Sequence, residues 1–92
     1  MIVRFRHKGL ERFFLSGSTR GISAQQAKRL QVFLGALATA QSPAEMDIVG
    51  ARLHALKGDL KGFWAVTVAG NWRLIFRFEG ENATDVDLID YH

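Results

Sequence analysis

Asp90-Tyr91-His92 sets an acid, a phenol and an imidazole side by side, and His54 and Lys57 lie upstream, before a strand-rich half that can carry them toward that segment. These groups exchange protons and contact phosphate oxygens. Together they suit the cleavage of an RNA phosphodiester, because RNA supplies its own nucleophile in the 2′-hydroxyl. Cleavage then needs a proton removed from that hydroxyl, charge stabilised on the phosphorane, and a proton delivered to the leaving 5′-oxygen. An imidazole with an unperturbed pKa of about 6.5 suits either proton transfer, and each transfer contributes roughly 10²–10⁴ in rate. His54 and His92 are the candidate base and acid, in either order, and Asp90 is a second candidate base or an orienter of an imidazole. Tyr91 can donate to phosphate or stack on a base, which is worth about 1–3 kcal/mol. Lys57 and Arg73 are the candidate phosphate-binding residues, the arginine through its forked donors.

The elements that must position these groups fit into one domain of 92 residues. The hydrophobic fraction of 48% and charged fraction of 23% are those of an ordinary globular domain. Cysteine is absent, which removes disulfides and thiolate metal sites, and no metal or cofactor is expected. Without a long apolar run or a signal-peptide core at Met1–His7, the expectation is a cytoplasmic protein with no membrane association. The charge is uneven: residues 1–30 hold seven basic side chains against Glu11, whereas residues 63–92 set Arg73 and Arg77 against five carboxylates. A basic half favours a polyanion or an acidic partner, although a solvated helix face explains it nearly as well.

Residues 2–6 alternate as a short strand, with Ile2 and Arg4 on one face and Val3 and Phe5 on the other. The spacing of Leu10, Phe13 and Phe14 is helical, Gly17 suits the left-handed end of that helix, and His7 sits at its start. Ser23 and Gln26 fit a capping box for a second helix running to about Ala40, with Ala27, Leu30, Leu34 and Leu37 as its apolar stripe. Lys28, Arg29 and Gln31 should face away. Ser42-Pro43 starts a short helical turn near residues 43–48. From Phe63 the period is two: a strand to Ala69, a turn at Gly70-Asn71, a strand with Trp72, Leu74, Phe76 and Phe78 on one face, and a last strand over 83–90. Trp64 should pack on the sheet's other side. Two amphipathic helices covering an antiparallel meander make an α+β fold.

The segments His54-Ala55-Leu56-Lys57-Gly58-Asp59, Gly70-Asn71-Trp72-Arg73-Leu74 and Asp90-Tyr91-His92, with Phe5-Arg6-His7-Lys8-Gly9-Leu10, closely resemble the HigB-type toxins of bacterial toxin–antitoxin pairs, within the RelE superfamily. The resemblance spans almost the whole chain. It implies a RelE/ParE-like fold and a ribosome-dependent messenger RNA endonuclease that cuts the codon exposed in the ribosomal A site of the 70S ribosome. It implies a cognate HigA-type helix-turn-helix antitoxin, with operator DNA bound only through the toxin–antitoxin complex. The family's catalytic set maps onto His54, Asp90, Tyr91 and His92, with Lys57 and Arg73 at basic positions beside it. Some relatives carry a further arginine in the segment that is Val68-Ala69-Gly70 here, which shifts phosphate binding onto Arg73 and Lys57. The alternative is a non-catalytic ParE-like inhibitor of a protein target such as gyrase, since fold alone does not decide function.

Overall fold

A computed structural model describes residues 1–91, so His92 lies outside the described residues. Helix α1 spans Lys8–Ser16 and α2 spans Ala24–Thr39. Strands β1 (His54–Ala55), β2 (Trp64–Ala69), β3 (Trp72–Glu79) and β4 (Asn82–Asp90) follow. Two 3₁₀ turns, Pro43–Met46 and Gly58–Leu60, join the halves. Among the described residues the strands form one antiparallel sheet in the order β1-β2-β3-β4. The architecture is therefore α+β, and no helix among the described residues is long and apolar enough to cross a membrane.

The helix ends follow their local chemistry. The His7 Nδ1 accepts from the Leu10 amide at 3.0 Å, which caps α1. Gly17, at φ 77°, ends the helix by returning its amide to the Phe13 carbonyl, a conformation that costs glycine little. Ser23 caps α2, but its hydroxyl accepts from the Gln25 amide, and Gln26 turns inward and is buried. The reciprocal capping box therefore does not form, because Gln26 is drawn into the fold.

One face of the sheet builds the main core. Leu74 and Phe76 of β3, Val66 and Val68 of β2, and Val86 and Leu88 of β4 pack with Leu30, Phe33, Leu34 and Leu37 of α2. Burying each such side chain contributes about 1.5–3 kcal/mol. Trp64 joins this same cluster, not the opposite side, because its register partner is Phe76. Residues 2–6 do not form the alternating strand expected of them. Ile2 and Phe5 make isolated parallel bridges to Ala83 and Val86 on the outer edge of β4, and both pack on the core, three positions apart. Arg29 also departs from expectation. Its Nε and Nη2 donate to the carbonyls of Thr67 and Gly50 at 3.1 and 2.6 Å, and its guanidinium lies over the Phe33 ring. The residue ties α2 to β2 and does not serve a solvated basic face.

Candidate active site

The other face of the sheet carries only a small apolar floor, formed by Leu56, Phe63, Ala65 and Ile75, with Leu60 and Ile89 packed against it. Strand pairing aligns His54, Ala65, Ile75 and Asp87 in one row across all four strands. Directly paired residues share a face, so His54 stands over this open side at its β1 edge. The next row is Thr67, Arg73 and Ile89. Continuing the alternation of Asp87 and Ile89 carries Tyr91 to the same face, where its amide donates to the Asn71 carbonyl at 2.8 Å.

The site residues expected from sequence fall into two groups. Arg73, Asp90 and Tyr91 meet around the turn between β2 and β3. Arg73 Nη1 donates to the carbonyls of Gly70 at 2.7 Å and Trp72 at 3.2 Å, so it ties down the turn on which Tyr91 docks. Its Nε is buried and has no hydrogen-bond partner among the described residues. Asp90 pairs with Trp72 at the sheet's end and is exposed, so the alternation sets it on the side opposite Tyr91. Trp72, 39% exposed, belongs to the helix-covered face and lines a recess with His7, Gly21 and Leu88.

The second group is His54 with Lys57. No periodicity in the sequence marks β1. Its two residues pair with Trp64 and Ala65, which places His54 on a sheet edge and not in a loop. The imidazole Nδ1 lies 3.0 Å from the Arg52 carbonyl. A carbonyl only accepts, so the neutral ring carries its proton on Nδ1 and presents the Nε2 lone pair. Lys57 is exposed and leads into the Gly58–Leu60 turn. Strand β2 lies between His54 on β1 and Arg73 on β3, and β1 and β4 lie about 14 Å apart at roughly 4.8 Å per strand. A substrate lying across the sheet would touch both groups.

A further cluster, which no motif of the sequence marks, lies on this same side. Asp85 sits in a bulge where β4 spends an extra residue between the pairs Ile75↔Asp87 and Arg77↔Thr84. Its φ is 52°, and the residue is only 5% exposed. Arg77 Nε and Nη2 donate to its Oδ2 at 3.1 and 2.8 Å. Arg4 and Arg6 bring their Nε atoms within 3.3 and 3.7 Å of its Oδ1. The Arg77 hydrogen bonds hold the Asp85 carboxyl below the usual carboxylate range; burial opposes them, and the charges of Arg6, Arg4 and Arg77 assist. Arg6 and Arg77 also lie over the Phe63 ring, at 5.0 and 5.7 Å from its centre. The signal was present: core residues Ala83 and Val86 are three apart where Val86 and Leu88 are two apart, and that broken alternation marks the bulge.

Known proteins share this sequence and this architecture. Residues 3–92 match the family model described as the RelE-like toxin of the type II toxin–antitoxin system HigB. The Endoribonuclease HigB of Proteus vulgaris is 41% identical over 92 residues, covering all of both chains. Among solved structures, the YoeB-YefM complex from Staphylococcus aureus contains a chain matched at TM-score 0.59 and 14% identity, over 100% of this chain and 98% of that one. The YoeB/ParE toxin from Agrobacterium tumefaciens matches at TM-score 0.56 and 15% identity, over 100% and 99% of the two chains. At such identities these two likenesses are of fold alone.

Proposed function

Because this chain belongs to the HigB family of RelE-like toxins of type II toxin–antitoxin systems, we propose that it is an endoribonuclease that cuts messenger RNA in the A site of translating ribosomes. It acts in the cytoplasm and is neutralised by a cognate HigA-type helix-turn-helix antitoxin. The observation that supports the reading best is the sheet face turned away from α2, where His54, Arg73 and Tyr91 stand around a small buried apolar cluster.

In this mechanism His54 Nε2 takes the proton of the 2′-hydroxyl, whose oxygen attacks the adjacent phosphorus in line. Arg73 and Lys57 stabilise the charge that gathers on the phosphoryl oxygens. His92 delivers a proton to the leaving 5′-oxygen, and Asp90 orients an imidazole. Tyr91, 40% exposed, offers its ring for stacking on a base or its hydroxyl to phosphate. A site split between two groups on one sheet face aligns a flexible strand poorly on its own. The ribosome supplies that alignment, and with it much of the entropic advantage of the reaction.

The experiment is to map messenger RNA 5′ ends after brief induction of the full chain. Cuts phased to codons in translated messages, lost with His54→Ala, are expected. Growth arrest without new RNA ends would sink the nuclease reading and favour a ParE-like inhibitor of a protein target.

A further inference from the structure

Resting on the endoribonuclease reading, we propose that Asp85 is a positioning residue: its buried carboxylate gathers Arg4, Arg6 and Arg77 into a preformed rim that grips the phosphate backbone of RNA on the open face. A carboxylate this buried is costly unless charged donors surround it, and three guanidiniums converge on it. Asp85 Oδ1 is buried and lacks a hydrogen bond of good geometry, so ion pairs with Arg4 and Arg6 are what compensate it. Core stability does not need three cations for one anion. Glu79, 3.9 Å from Arg77 Nη2, neutralises only part of the excess. The arginines also remain reachable: the Arg4 side chain is 70% exposed and that of Arg6 is 46% exposed.

Their geometry is that of a device for holding forks in place. Asp85 fixes the Nε side of Arg4 and Arg6, and the Phe63 ring supports Arg6 and Arg77 from below. Guanidiniums fixed in this way lose less side-chain freedom when they bind phosphate. Arg77 lies on the same face of β3 as Arg73, so the rim continues the phosphate-binding surface away from the scissile linkage. The phosphates are those of the message or of ribosomal RNA.

Asp85→Asn separates this idea from simple charge attraction. It adds one positive charge to the chain, and asparagine tolerates the left-handed backbone at this position. Charge alone predicts tighter binding of RNA. Positioning predicts a KM for cleavage on translating ribosomes raised about threefold to tenfold, an unchanged kcat and a shallower salt dependence, since each lost phosphate contact removes roughly 0.7–0.9 from the log–log slope. The Arg4→Gln, Arg6→Gln pair should reproduce the effect, and adding Asp85→Asn to it should change little, because the carboxylate acts through those arginines. An unchanged or lowered KM in a folded Asp85→Asn protein overturns the proposal. If Asp85→Asn melts below the assay temperature, the arginine pair decides, and its unaltered KM and salt slope overturn the proposal equally. Binding to vacant ribosomes, measured beside binding to a short RNA oligomer, assigns the phosphates to ribosomal RNA or to the message. A wild-type protein that cuts no RNA removes the endoribonuclease reading itself, which is a different outcome from a wild type that cuts and an Asp85→Asn that cuts equally well.

Discussion

The two faces of this sheet are built from the same strands and do opposite things. On β3, Leu74 and Phe76 enter the core beneath α2, while Arg73 and Arg77 stand on the open side. The covered face is apolar and closed around Leu30, Phe33, Leu34 and Leu37. The open face has a floor of a few apolar side chains ringed by His54, Arg73 and the arginine–Asp85 cluster. The difference teaches how a small chain can hold a reactive surface. The burial that stabilises the fold is concentrated on one side, so polar groups on the other need only local support.

The largest effect should come from breaking the covered face. Phe76→Ala removes a fully buried ring and should cost about 3–5 kcal/mol. For a domain of this size that lowers the melting temperature by about 4–8 °C per kcal/mol, as followed by circular dichroism. A cost below 1 kcal/mol would mean that the core is not where stability lies.

The complementary change on the open face is His54→Ala. The side chain is exposed, so melting should move by no more than about 2–4 °C, while kcat falls about 10²–10⁴-fold. A variant that melts early yet cuts normally would reverse the division between the faces.

The smallest effect sharpens the comparison, because Asp85 is the buried charge of the open side. Its carboxyl pKa is lowered in the fold, chiefly by the Arg77 donors, relative to about 3.9 for an unfolded aspartate. A depressed folded value contributes stability above pH 4, which is lost as pH falls through the lower folded value. Thermal melts between pH 6 and pH 2.5 should therefore show a shallower acid decline for Asp85→Asn than for the wild type. Parallel curves would show that the arginine cluster adds no net favourable linkage.

Much of this was legible in the sequence. The helical spacing of Leu10, Phe13 and Phe14 with the Gly17 stop, the Ser23 cap with the Ala27, Leu30, Leu34 and Leu37 stripe, and the period of two from Phe63 onward located both helices and the three long strands. Residue type and family resemblance point to chemistry at residues 54, 57, 73, 90, 91 and 92. Strand β1 was not legible, because two residues carry no periodicity and their pairing with Trp64 and Ala65 is a long-range contact. Nor was the inward turn of Arg29, whose partners Thr67 and Gly50 are distant in sequence.

What the sequence determined by itself is the alternation that sends apolar and charged residues of β3 to opposite sides, because side-chain direction along a strand follows from local backbone geometry. Only the tertiary structure decided that the helices cover the Leu74 side, that His54 and Tyr91 stand on the same, opposite side, and that Asp85 draws in Arg4 and Arg6. Those outcomes depend on strand register and on one bulge, and both are set by contacts between segments far apart in the chain.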